Sequence, residues 1–122
     1  NVAGAVLDLN NFSQTIGSLA GGGATGGNVT LGSATLTTGG NNASTTYAGV
    51  ISGASGSLTK TGTGTQILTG NSTYTGATTI SAGTLLANNT SGSATGTGAV
   101  AVGSGATLGG TGSITGALTV NS

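Results

Sequence analysis

Apolar residues recur along this chain at a fixed interval: Leu36, Leu58, Ile80 and Val102 stand 22 residues apart, and Leu7, Val29 and Ile51 keep the same step. A repeat of this length is one supersecondary unit, which buries its apolar side only by stacking on its neighbours. Local sequence supports the period. Leu31-Gly-Ser-Ala-Thr-Leu36, Ile80-Ser-Ala-Gly-Thr-Leu85 and Val102-Gly-Ser-Gly-Ala-Thr-Leu108 are versions of one unit, and Gly76-Ala-Thr-Thr-Ile80 returns as Gly116-Ala-Leu-Thr-Val120. The step is too short for paired-helix repeats, and the Leu-x-x-Leu-x-Leu-x-x-Asn pattern of leucine-rich repeats is missing. A β-coil remains.

Strand chemistry agrees. Asn28-Val-Thr-Leu31, Thr65-Gln-Ile-Leu-Thr69 and Ala77-Thr-Thr-Ile-Ser81 are short and rich in β-branched residues. Between such segments lie Gly39-Gly-Asn-Asn42 and Gly70-Asn71, residue types that tolerate the left-handed backbone of tight corners. No segment keeps an apolar 3.6-residue period free of Gly, so no helix is predicted. The expected fold is all-β: a single parallel β-solenoid over residues 1–122, with about 20–22 residues per rung and about five to six rungs. The ordered spacing of apolar residues and the absence of Pro argue against the disordered reading that 27 glycines invite.

Composition then removes whole classes of function. Charged residues make up 2% of the chain, with Asp8 the one acid and Lys60 the one base. No basic patch exists to neutralise phosphate, so neither nucleic acid nor a membrane surface is an expected partner. Zero His, zero Cys and a single carboxylate leave no Ser-His-Asp triad, no Cys-His pair and no paired carboxylates. A Ser-Lys dyad would need a buried amine, whereas Lys60 reads as a solvated surface residue. Calcium solenoids repeat an Asp at every turn; Asp8 alone reads as a turn or cap residue. No catalytic, cofactor-binding or metal-binding residue is assigned, no cofactor is expected, and the chain reads as a non-enzyme. Phe12, Tyr47 and Tyr74 are expected to pack over corners or against the flank of the coil. The sequon-like triplets beginning at Asn11, Asn28, Asn42, Asn71 and Asn88 are ascribed to chance in a chain so rich in Asn, Ser and Thr.

Gly56-Ser-Leu-Thr-Lys-Thr-Gly-Thr-Gly-Thr65, followed by Leu68-Thr-Gly-Asn-Ser-Thr-Tyr-Thr-Gly-Ala-Thr-Thr-Ile80 and Ala82-Gly-Thr-Leu85, resembles the autotransporter-associated β-strand repeat, also called the passenger-associated transport repeat. Upstream, Leu7-Asp-Leu-Asn-Asn-Phe-Ser-Gln-Thr-Ile-Gly-Ser-Leu19 is similar to the segment that commonly precedes it, and Gly96–Ser122 is a degenerate version of the same pattern. The resemblance implies a right-handed parallel β-helix, exported across a bacterial outer membrane to the cell surface, in a passenger linked to transport and adhesion. Lys60 sits where the repeat usually carries Lys. The family's outer-membrane barrel, autochaperone region and signal peptide have no counterpart in these residues, so membrane insertion and self-secretion are not assigned to them.

The expected role is therefore a non-catalytic structural and interaction segment of an adhesin-type passenger stalk, with a host-surface or glycan ligand for the whole. The alternative is ligand or ice binding by a flat Thr ladder, drawn from Thr35-Leu-Thr37, Thr59-Lys-Thr61, Thr73-Tyr-Thr75 and Thr95-Gly-Thr97. Three further expectations follow. Leu36, Leu58, Ile80 and Val102 should stack in one internal ladder. Stability should be flat between pH 5 and 9. Neither end reads as a cap, so flanking rungs of a longer chain, or copies of the chain joined end to end into fibres, should cover them.

Overall fold

The computed structural model describes residues 2–121, and among them there is no helix. Thirteen short strands follow one another: β1 (Val6–Asp8), β2 (Gln14–Ile16), β3 (Asn28–Thr30), β4 (Thr35–Thr38), β5 (Thr45–Tyr47), β6 (Ile51–Ser52), β7 (Ser57–Lys60), β8 (Thr65–Leu68), β9 (Thr78–Ile80), β10 (Thr84–Ala87), β11 (Val100–Val102), β12 (Thr107–Gly109) and β13 (Leu118–Val120). They form three sheets, ordered β1-β3-β6, β2-β4-β7-β9-β11-β13 and β5-β8-β10-β12. Strands that neighbour in a sheet lie about one turn apart in sequence, and every strand pairing is parallel. That is the signature of a β-solenoid, here of about five turns.

Alternation sets which side chains enter the coil, because successive residues of a strand point to opposite faces. In β4, β7, β8 and β10 every second residue is buried and the intervening ones are half-exposed. The resulting interior holds Leu31, Leu36, Ile51, Leu58, Ile80 and Leu85, each 0–1% exposed. β1 and β13 keep the same geometry but are exposed throughout, since no rung lies beyond them in the structure.

The expected ladders are half right. Leu7, Val29 and Ile51 do stack in one column, each one rung above the last. Leu36 stacks on Leu58, but Leu58 then meets Thr78, and Ile80 lies against Lys60. The four residues thus split into two neighbouring columns on one inward face. One runs Gln14, Leu36, Leu58, Thr78, Val100, Leu118, and the other runs Ile16, Thr38, Lys60, Ile80, Val102, Val120. The reason is corner length. A turn takes 22 residues from Gln14 to Leu36, 22 to Leu58, 20 to Thr78, 22 to Val100 and 18 to Leu118. Corners absorb such changes while the strands stay in register.

The corners reveal what the abundant Asn and Ser residues do. Where the chain turns, backbone N–H groups leave the ladder and need another acceptor, and a side chain one turn earlier supplies it. Asn11 Oδ1 accepts from Ser33 N–H at 2.9 Å and Ser13 Oγ from Thr35 N–H at 3.0 Å; Asn42 Oδ1 and Ser44 Oγ do the same for Thr63 and Thr65, at 2.9 and 3.0 Å. Asn28, Asn71 and Asn88 accept from Val50, Ser93 and Thr111. All five asparagines of the sequon-like triplets work this way, which replaces chance as their explanation. An Asn and a Ser two residues apart face two N–H groups two residues apart on the next rung. The Asn also needs room. Gly32 and Gly92 have φ of +60° and +66°, and a Cβ at either would overlap the stacked Asn11 or Asn71 amide.

Candidate functional site

Lys60, expected at the surface, is 1% exposed. It is two residues from Leu58 on the same strand, so alternation turns it inward with Leu58, and its aliphatic stem occupies a place in the column between Thr38 and Ile80. The ammonium reaches the corner, where Nζ donates to the carbonyls of Thr61, Gly62 (3.1 Å) and Ala82 (3.5 Å). These bonds join two consecutive turns. Burial lowers its pKa below the usual amine value of 10.5. Among the described residues its partners are backbone carbonyls and no Ser hydroxyl, so the geometry is that of an internal clamp.

Tyr47 and Tyr74 also lie inside, at 2% and 0% exposed, instead of over the corners or against the flank of the coil where they were expected. Tyr47 donates to the Gly27 carbonyl at 2.9 Å, and Tyr74 is hydrogen-bonded to the Thr78 hydroxyl. Burial pushes the Tyr47 phenol up to about 12 and raises that of Tyr74 as well. Phe12 is the exception, 67% exposed. Gln66 is buried where strand parity demands an inward residue; its Nε2 donates to the Leu19 carbonyl at 3.1 Å and its Oε1 accepts from Thr45 Oγ1 at 3.3 Å. Asp8 has the turn role expected of it, accepting from Asn10 N–H at 2.8 Å.

With Lys60 and the tyrosines drawn inside, the outer wall of the six-stranded sheet is uncharged and built of small side chains. Thr15, Thr37, Thr59, Thr79, Ala101 and Thr119 form one outward column, one residue per rung. The Thr-x-Thr motifs do not stack as pairs. Thr35 meets Ser57, and Thr73, Thr75, Thr95 and Thr97 lie outside any strand.

The remaining features are the two rims of the coil. Val6, Leu7 and Phe12 are 53%, 45% and 67% exposed at one end, and Leu118 and Val120 are 50% and 66% exposed at the other. Two clefts open at the first rim. One of about 310 Å³ lies between Val6, Leu7, Leu19 and Tyr47, and one of about 330 Å³ lies between Leu7, Leu9, Phe12 and Ile16. The burial of Lys60 was legible in the Leu58-Thr-Lys60 alternation, and was missed because charge was weighed above parity.

Residues 58–87 match the family model of the passenger-associated transport repeat. Over 87 residues, 70% of this chain, the sequence is 52% identical to the adhesin BmaC autotransporter of Brucella suis biovar 1 (strain 1330). The chain spans 2% of that relative's length. No solved structure matches. The matched repeat runs from Leu58 on β7 to Ala87 at the end of β10, so it covers more than one full turn, including the Lys60 corner and the Asn71 side chain that caps the next rung. Sequence match and coil geometry agree: residues 58–87 are a passenger-associated transport repeat, set in a chain whose fold is a β-solenoid.

Proposed function

We propose that this chain is a non-catalytic structural segment of a longer, adhesin-type autotransporter passenger, held outside the cell as a stiff spacer within the stalk. The observation that carries the reading is the six-stranded ladder, which runs unbroken from β2 to β13 while the one ammonium is spent on backbone carbonyls inside. A coil of this kind converts sequence into length at a constant rate. With adjacent strands about 4.8 Å apart, five turns extend the stalk by roughly 24 Å. The likeness to an adhesin supports the surface setting, and contact with a host-surface protein or glycan is assigned to the parent passenger as a whole.

The test is length. Inserting four tandem copies of the segment into a parent passenger should lengthen the surface appendage by about 100 Å on electron micrographs, at the same rise per rung. Appendage length that does not change with copy number would overturn the spacer reading.

A further inference from the structure

The corner that receives the Lys60 ammonium is built by three consecutive turns. Nζ donates to the carbonyls of Thr61, Gly62 and Ala82, and two glycines keep open the space it fills. A Cβ at Gly83, one turn on, would overlap the Gly62 and Gly64 carbonyls and stand 2.9 Å from Nζ. A Cβ at Gly39, one turn back, would overlap the Thr61 carbonyl and stand 3.1 Å from Nζ. The one carboxylate of the chain, Asp8, lies on β1 in a different sheet, so neutral backbone oxygens alone answer the charge.

We infer that this corner is a binding site for one monovalent cation of ammonium or potassium size, and that Lys60 is its tethered occupant. A ring of backbone carbonyls holds such an ion by replacing its hydration shell, as potassium-channel filters do. Calcium asks for six to eight oxygens, usually with carboxylates among them, and magnesium keeps several of its waters; an enclosed corner with three carbonyls and no carboxylate suits neither. Lys60→Met keeps the stem through Cε and removes Nζ alone, leaving the three acceptors around a space the size of one ammonium. Potassium and ammonium match that space, sodium is too small to touch all three oxygens, and tetramethylammonium is too large to enter. By carrying the cation in its own sequence, the coil holds this corner together whatever salt surrounds it, whereas an ion taken from solution stabilises only in proportion to its supply. The inference is independent of the spacer reading, which fails or stands on appendage length.

Urea unfolding in chloride salts of equal ionic strength tests it. For Lys60→Met, replacing sodium by about 0.5 M potassium or ammonium should raise the ratio of folded to unfolded chain about tenfold, the factor that a site with a dissociation constant of about 50 mM gives. Tetramethylammonium should give no such rise. The wild-type chain, whose corner is already filled, should respond alike to sodium and potassium. Lys60→Ala empties the place of the stem as well, and should gain more from propylammonium, which supplies the missing methylenes and ammonium together, than from potassium. Where Lys60→Met does not fold in sodium, recovery of the wild-type far-UV circular dichroism in potassium is the readout. In crystals of Lys60→Met grown with rubidium, an anomalous peak should stand among the Thr61, Gly62 and Ala82 oxygens. A Lys60→Met chain that prefers potassium to sodium no more than the wild type does, or that folds in neither, would overturn the inference. So would a rubidium crystal with no peak at that corner.

Discussion

Lys60 shows how a single side chain can be both part of the wall of a core and a tie between turns. Its stem takes an inward place that parity assigns, and its ammonium satisfies carbonyls at a corner where the ladder offers no N–H. Lys60→Met keeps the stem and removes the donor, leaving buried acceptors unpaired, so it should cost about 1–3 kcal/mol in urea unfolding. Its burial also gives the stability a slope with pH. Because the folded pKa is depressed, the unfolded chain binds the proton more tightly, and this group's contribution rises with pH as the medium approaches 10.5. Tyr47 and Tyr74 act in the opposite sense. Their folded pKa values are raised, so the stability they give is whole below pH 10 and is lost as pH climbs through 10 toward 12. Urea midpoints at intervals from pH 7 to 11.5 should therefore fall above pH 10, and Lys60→Met should lack the rise that precedes the fall. At the corners, Asn71→Ala should cost about 1 kcal/mol by orphaning Ser93 N–H, while Asn71→Asp, which keeps an acceptor, should recover most of it.

Strands here are two to four residues long and contribute nothing alone; each interior one is held by the one above and the one below. An interior column residue should therefore matter far more than the same residue type at a rim. Leu58→Ala, at 1% exposed, should cost roughly 2–5 kcal/mol, and Leu118→Ala, at 50% exposed, about 0.5 kcal/mol or less, both read from chemical denaturation. Register is the property of the elements that spacing misjudged. An even step of 22 residues set Leu58 over Ile80, whereas the structure sets it over Thr78. Paired cysteines distinguish the two. Leu58→Cys with Thr78→Cys puts sulfurs on directly opposed residues about 4.8 Å apart and should oxidise readily, while Leu58→Cys with Ile80→Cys spans a diagonal too long for an unstrained bridge. Non-reducing mobility of the two double variants reads the result. The alternation within each strand was visible in the sequence. The two residues lost between β7 and β9 were hidden, because Gly and Thr fill both long and short corners.

Along the whole molecule, each turn touches only its neighbours, so protection from solvent should grade from the rims inward. Amide exchange followed residue by residue should be slowest near Leu58 and Ser81, whose N–H groups bond to Ala77 and Lys60 carbonyls in the middle turns, and fastest at Asn121 in the last. Uniform protection from Val6 to Val120 would mean that the coil opens as one unit. At this scale the sequence by itself determined the architecture. Apolar residues returning every 22 positions, with Gly and Asn between β-branched runs, can bury their side chains together only by coiling. The column from Leu7 through Val29 to Ile51 followed from that spacing alone. Tertiary structure decided which residue lies over which. That choice set Lys60 between Thr38 and Ile80 and gave the sequon-like asparagines their N–H partners. It lay beyond the sequence because a corner lengthens or shortens by two residues with no change in its composition, while the stacking of side chains from three neighbouring turns fixes the register that survives.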